Sequence, residues 1–132
     1  MPGCRTLRFS IINLFVPLLL SVAAISQAAD YRPLIGRWQR TDGGYIIDIR
    51  RVAADGKITA GYYNPRPINV SRAEVTNFQK HLKVEIELRD SGYPGSTYTL
   101  IYNAEKDLLL GFYYQAVQRQ NFDVVFVRLP ES

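Results

Sequence analysis

Residue types that usually carry catalysis are scarce in this chain. The only histidine, His81, opens a segment in which polar and apolar residues alternate, so we expect it on a solvated face. A serine–histidine–acid arrangement or a metal site would instead need it among converging partners. No glycine-rich phosphate loop leads into a helix. We therefore predict no enzyme activity, no catalytic residue, no metal site and no cofactor. Acid–base chemistry from Asp42 with Tyr45 is the alternative that stays open.

Aromatic residues are the other chemically useful group. The chain has nine tyrosines and six phenylalanines, with clusters at Tyr62-Tyr63, Tyr93 and Phe112-Tyr113-Tyr114. Tyrosine combines an apolar ring with a hydroxyl group, which suits both ligand pockets and protein interfaces. The same residues can instead serve only as large strand residues that fill a barrel. Both interpretations are kept.

The N-terminal residues have the pattern of a secretory leader. Arg5 and Arg8 precede an apolar stretch over residues 11–25, and small residues surround a predicted cleavage point between Ala28 and Ala29. The stretch is short for a membrane span, so we predict no membrane anchor after cleavage. Residues 1–28 are thus a predicted signal peptide, and residues 29–132 form a single domain. The only cysteine, Cys4, belongs to the leader, so the mature chain has no disulfide and fits a periplasmic or secreted location.

The charge of the chain does not suggest a nucleic-acid partner. The formal net charge is +4, and removal of the leader arginines lowers it to +2. The longest basic run is the pair Arg50-Arg51. Because nucleic-acid binding depends on neutralising many phosphates, we predict no such partner.

Glycine, proline and Asn/Asp clusters divide the mature chain into strand-length segments. In residues 81–89, apolar side chains alternate with charged ones, which indicates a strand with one wet face. A short helical turn over residues 72–76 is the one helical alternative. Short connections favour sequential antiparallel pairing, and closure removes exposed edges, so we predict an all-β, eight-stranded up-and-down barrel rather than a sandwich. The predicted strands span residues 36–40, 45–52, 57–64, 68–77, 81–89, 96–102, 108–118 and 122–129.

In such a meander, successive turns alternate between the two ends. The turns after the second, fourth and sixth strands are plain reversals, including the hairpin signal Asp55-Gly56; we call this the closed end. The turns after the first, third, fifth and seventh strands carry paired prolines, a tyrosine, arginines and amides; we call this the open end. Loops on a rigid scaffold often carry binding groups, so we predict the site at the open end. The alternative is that these turns are only longer and stiffer.

The opening Gly36-Arg37-Trp38, followed by Asp55-Gly56 and Gly61-Tyr62-Tyr63, resembles the start of the avidin and streptavidin family. More broadly, the chain is similar to the calycin group, which includes the lipocalins. The resemblance implies that Trp38 plugs the closed end and that Arg128, near the end of the last strand, packs across it as a structural closure.

The resemblance does not extend to biotin binding. Arg40 stands where avidins have an asparagine, and Pro65 replaces a hydroxyl residue. The chain also has a single tryptophan, so the wall of indoles around biotin is missing.

Two kinds of partner fit these predictions. The first is a small apolar or aromatic molecule, bound at the open end by residues that we predict to be ligand-binding: Asn64, Arg66, Tyr93, Ser96 and Gln118. On this hypothesis, Arg66→Ala weakens binding without unfolding the barrel. The second is a protein, with the chain acting as an inhibitor of a periplasmic or secreted hydrolase and Tyr93-Pro94 as anchor. Self-association into a homo-oligomer also stays open.

Overall fold

A computed structural model describes residues 2–4, 10–24, 29–91 and 95–131. Residues 10–24 form neither helix nor strand, and within the described ranges no helix has the length and apolar character needed to cross a bilayer. The predicted cleavage point falls at Ala28, outside the described residues. Between residues 29 and 131, the described part of the chain contains a short 3-10 helix, Arg32–Leu34, and nine strands: β1 Gly36–Arg40, β2 Ile46–Val52, β3 Ile58–Tyr63, β4 Pro67–Ile68, β5 Val70–Phe78, β6 His81–Leu88, β7 Ser96–Asn103, β8 Leu108–Gln115 and β9 Gln120–Arg128.

The strands form one antiparallel sheet in the order β4-β3-β2-β1-β9-β8-β7-β6-β5. The first strand, β1, lies between β2 and the last strand, β9. The outer edges of the sheet approach each other, because β4 pairs with β3 and Lys57 forms an isolated bridge with Glu74 of β5. The N–H of Val75 also donates to the carbonyl of Gly56 at 2.8 Å. The sheet is therefore a nearly closed antiparallel barrel.

The number of strands corrects the prediction of eight. The predicted fourth strand is divided at Asn69, where the chain changes its pairing partner. Before this point, Ile68 pairs with Tyr62 of β3. At Asn69, the backbone carbonyl accepts a hydrogen bond from the N–H of Arg89, and the chain then pairs with β6. One continuous segment thus contributes two strands, which pair with β3 before Asn69 and with β6 after it.

Several element ends also differ from the sequence-based expectation. Residues 72–76 lie within β5, so the suggested helical turn there was wrong. The predicted seventh strand, to residue 118, was too long: β8 ends at Gln115, whose side-chain oxygen accepts a hydrogen bond from the N–H of Gln118 and stabilises a turn. The 3-10 helix Arg32–Leu34 was not predicted; proline at its second position is compatible with a helix start.

The inner faces of the strands form the core. On β2, the alternation places Ile47 and Ile49 inside, and on β6 it places Val84, Ile86 and Leu88 inside, as the period of two predicted. The largest fully buried side chains are aromatic and come from β1, β3, β7 and β9: Trp38, Tyr62, Tyr98 and Phe126.

Candidate functional site: the open end of the barrel

The closed end is sealed by the segment that precedes β1. Leu34, in the 3-10 helix, is fully buried, and its carbonyl accepts a hydrogen bond from the indole Nε1 of Trp38 at 2.9 Å. The guanidinium carbon of Arg128 lies 4.2 Å from the centroid of the Trp38 ring. A guanidinium over an indole face is attractive, by about 0.5–2 kcal/mol. This end is thus closed by three groups in contact: the backbone of the 3-10 helix, the indole of Trp38 and the guanidinium of Arg128.

Arg128 is held in place by several acceptors. Its Nε and Nη2 donate to the two carboxylate oxygens of Asp107, at 2.8 and 3.0 Å, and Nη1 donates to the carbonyl of Ile35 at 2.7 Å. Nη2 also donates to the carbonyl of Pro33. The hydrogen bonds from Arg128 lower the pKa of the Asp107 carboxyl, and the hydroxyl of Tyr102 adds to this effect.

Gly36 makes this closure sterically possible. Its φ is +139°, a conformation that residues with a side chain rarely adopt. A Cβ at this position would lie 2.7 Å from Nη1 of Arg128. The positive φ therefore favours glycine at the start of the Gly36-Arg37-Trp38 motif, and the guanidinium lies close to the space that a Cβ would occupy.

At the opposite end, the barrel interior opens into a cavity of about 250 Å³. Its walls come from the ends of β1, β3 and β8, the start of β2, the turn between β8 and β9, and β9. The described residues that line it are aromatic, amide-bearing or cationic: Arg40, Tyr45, Tyr62, Asn64, Tyr113, Gln115, Gln118 and Phe122.

A chain of polar contacts connects this cavity to the barrel interior. Arg40 is two residues beyond Trp38 on β1, so both side chains point inward. The Nη1 of Arg40 donates to the hydroxyl of Tyr98 at 3.2 Å, and the hydroxyls of Tyr98 and Tyr62 are 2.9 Å apart. On the solvent side, Nε and Nη2 of Arg40 donate to the carboxylate of Asp42 at 2.5 and 2.8 Å.

These contacts fix the ionisation states at the cavity floor. Burial raises the pKa of Tyr98 to about 12 and raises the pKa of Tyr62 further, so both phenols are neutral at physiological pH. The hydrogen bonds from Arg40 lower the pKa of Asp42, so that carboxyl is ionised. The site therefore combines one cation, its anionic partner and two neutral hydroxyl groups.

Aromatic rings form the rest of the wall. The guanidinium carbon of Arg40 lies 4.3 Å from the centroid of the Tyr45 ring. The ring of Tyr113 stacks on Tyr98 with a centroid separation of 4.6 Å, and the Phe122 ring lies near-parallel to that of Tyr113, at 6.5 Å and 27°. Aromatic side chains thus line the cavity together with the polar groups of its floor.

The structure places the predicted ligand-binding residues in different settings. Asn64 and Gln118 line the cavity. Ser96 is fully buried, and its hydroxyl accepts a hydrogen bond from the N–H of Ala116, so in this structure it anchors the turn after β8. Arg66 is exposed on the turn before β4 and does not line the cavity. The prediction for Tyr93 falls on a residue outside those described.

The sequence-based list omitted the residues at the cavity floor. Arg40 was noted only as a departure from avidins, and Tyr98 was not singled out. The alternation of side chains along each strand could have identified both residues. Arg40 shares the inward face of β1 with Trp38, and Tyr98 shares the inward face of β7 with the buried Ser96 and Leu100. At the closed end, Asp107 appeared only as part of a plain turn.

Two larger depressions are lined by other residues. One, of about 580 Å³, is lined by residues of the β5–β6 and β7–β8 turns, and another, of about 660 Å³, lies beside Arg37 and Pro130. The first of these also includes inward-facing Leu82 and Tyr102, which pack against the core. We regard the open-end cavity as the candidate site, because there a cation, amide side chains and aromatic side chains from several strands converge around one opening.

Architecture and site together define the class: an all-β, nearly closed antiparallel barrel with one sealed end and a small polar–aromatic cavity at the other. No protein-family model matches this chain, and no curated protein or solved structure matches it.

Proposed function

We propose that this protein is a non-enzymatic binding protein that holds a small molecule with an aromatic or apolar ring at the open end of its barrel. The observation that carries the proposal is the cavity of about 250 Å³ at the end of the barrel interior, opposite the seal formed by Trp38 and Arg128. Flat aromatic walls with a few fixed polar groups are the usual composition of small-molecule sites.

The size of the cavity supports a small ligand. A cavity of about 150 Å³ accommodates benzene, and sites for drug-sized molecules begin at about 300 Å³. The open-end cavity lies between these values. A molecule with one ring and a short polar substituent is therefore the size that fits.

We also propose that the leader is cleaved before Ala29 and that the mature barrel is periplasmic or secreted. The basic start and apolar stretch of residues 1–28 support this, together with the absence of cysteine from residues 29–132. The Trp38–Arg128 stack supports the calycin-like architecture that the resemblance to avidins implies.

Native mass spectrometry of the mature protein, purified from the compartment that it occupies, tests the proposal. We expect the mass of a chain that begins at Ala29 and a retained small molecule. The same spectra report copy number and so test self-association. The bound molecule should be lost in Gln118→Trp, which fills the cavity, and kept in Lys106→Trp, which changes an exposed turn at the closed end. Equal retention in both variants would contradict the assignment of the site.

A protein partner is the second candidate function. Val117 is 62% exposed in the turn between β8 and β9, and Pro65 and Arg66 in the turn before β4 are exposed together with Pro67 at its start. Apolar and conformationally restricted groups on protruding turns suit an inhibitor of a periplasmic or secreted hydrolase. Copurification of a hydrolase that is lost with Val117→Asp and kept with Gln118→Trp would favour this function over small-molecule binding.

A further inference from the structure

We propose that the open-end cavity selects single-ring aromatic carboxylates, with the ligand carboxylate held by Arg40 and its attraction weakened by the neighbouring charge of Asp42. This inference rests on the proposed small-molecule function and names the chemical class of ligand.

The charge distribution around the cavity is the first support. Arg40 is the only charged residue among the described residues that line it. The side chain of Arg40 is 10% exposed, whereas its partner Asp42 is 55% exposed. The cation thus belongs to the interior and its counter-ion to the surface. An anion that enters the cavity would meet an enclosed guanidinium in surroundings where charge attraction is weakly screened.

The hydrogen-bonding capacity of Arg40 is the second support. A guanidinium has five N–H donors, and it prefers planar acceptors such as carboxylates. Within the described residues, Arg40 uses three donors: Nε and Nη2 bond Asp42, and Nη1 bonds Tyr98. One N–H remains on each of Nη1 and Nη2. A ligand carboxylate can accept from both.

The phenol contacts are the third support. Because Arg40 can only donate, the oxygen of Tyr98 accepts its hydrogen bond, and either hydroxyl can donate in the contact between Tyr98 and Tyr62. Tyr62 lines the cavity, and its raised pKa keeps it protonated. The floor therefore combines the donors of Arg40 with neutral hydroxyl groups, and it adds no negative charge that would repel an anionic oxygen.

The aromatic walls account for the ring. Tyr45, Tyr113 and Phe122 line the cavity, and the rings of Tyr113 and Phe122 lie near-parallel to each other. Flat rings stack favourably in offset or tilted arrangements. With about 250 Å³ available, one ring bearing a carboxylate fits better than a fused system.

In this proposal, the negative charge of Asp42 weakens the binding of an anionic ligand. It lies on the turn after β1, next to Gly43 and Gly44, and it occupies the Nε side of the Arg40 guanidinium. Its charge partly cancels that of Arg40 and repels an incoming carboxylate. Removing that charge should strengthen binding of an anion and leave binding of a neutral analogue unchanged.

The experiment compares 4-hydroxybenzoate with 4-hydroxybenzamide by isothermal titration calorimetry on the mature protein. The two probes have the same ring and similar shape but differ in charge. We expect at least tenfold tighter binding of the benzoate, and a further severalfold gain for the benzoate alone in Asp42→Asn. The control Asp55→Asn removes an exposed carboxylate from a turn at the closed end and should change neither affinity. A second variant, Arg40→Gln, should abolish the preference for the benzoate.

The outcomes separate this inference from the function on which it rests. Equal binding of both probes, or tighter binding of the amide, would overturn the carboxylate inference and leave the aromatic binding function in place. If neither probe binds to the wild type or to Asp42→Asn, both proposals fail for single-ring aromatics. Because the wild-type comparison needs no substitution, the test remains decisive even if Arg40→Gln does not fold.

Discussion

Trp38 and Arg128 are register partners on β1 and β9, and the guanidinium of Arg128 covers the indole ring of Trp38. One side chain therefore joins the first strand, the last strand and the segment before β1. The planar fork of arginine is what makes this possible, because it can stack on a ring and donate in its own plane at the same time.

Replacement of Arg128 by lysine should destabilise the protein although the charge is kept. Lysine cannot bond both oxygens of Asp107 and the carbonyl of Ile35 while lying flat on an indole. We expect a loss of about 2 kcal/mol in the free energy of unfolding, measured by urea denaturation. Arg51→Lys, on the exposed end of β2, is the matched control and should change stability little. An equal effect of both substitutions would contradict the closure role.

Gly36→Ala should destabilise the barrel by about 1–3 kcal/mol. The new methyl group would meet both an unfavourable φ of +139° and the Nη1 atom of Arg128. Gly44→Ala provides the control, because a Cβ there meets nothing within 4 Å. Thermal unfolding monitored by circular dichroism measures both variants. A stable Gly36→Ala protein would show that the seal can rearrange.

Tyr98→Phe removes one hydroxyl and keeps the ring packing. The variant loses the contacts between that hydroxyl and both Arg40 and Tyr62, so polar groups are left with fewer partners inside the barrel. We expect a loss of about 1–2 kcal/mol in chemical denaturation. Tyr114→Phe, on the outward face of β8, should be close to neutral. Equal stabilities would mean that water replaces the missing hydroxyl at no cost.

Stability should fall at alkaline pH. The pKa of Tyr98 is about 12 in the folded protein, against about 10 for an exposed phenol. Ionisation of this phenol therefore has little effect on the free energy of unfolding below pH 10, and lowers it as the pH rises from 10 toward 12. Denaturation midpoints across this range, with tyrosinate absorbance, measure the effect. Tyr98→Phe should lose part of the pH dependence, and Tyr62 should retain the rest. An unchanged slope in the variant would contradict the assignment to Tyr98.

Much of the barrel followed from local patterns in the sequence. The alternation in β6 predicted which side chains face inward, because a strand has a period of two wherever it lies in the sheet. The division at Asn69 could not be predicted in this way, since it depends on the register of two non-adjacent neighbours. The 3-10 helix could not be predicted from local patterns either, because its position depends on the Trp38 indole and on the Arg128 guanidinium, which comes from a distant part of the chain.

The candidate site was less predictable than the fold. Turn parity pointed to the open end, where Asn64 and Gln118 line the cavity. Ser96 was predicted to bind a ligand because its strand begins at the open end. In the structure, its hydroxyl oxygen accepts a hydrogen bond from the backbone N–H of Ala116 in the adjacent turn. Arg40 and Tyr98 are brought together from positions 58 residues apart, a distance over which no local pattern operates.

The adjacency of β1 and β9 has a consequence for how the chain acquires its structure. The bonds from Arg128 to Asp107 and to Ile35 span 21 and 93 residues, so the plug is completed only after the C-terminal strand is available. Large sequence separations slow folding, because the entropy of closing the long loop is lost before the contact forms. A nascent chain that lacks its final segment therefore cannot form this seal over its core, and complete folding before the end of synthesis is disfavoured.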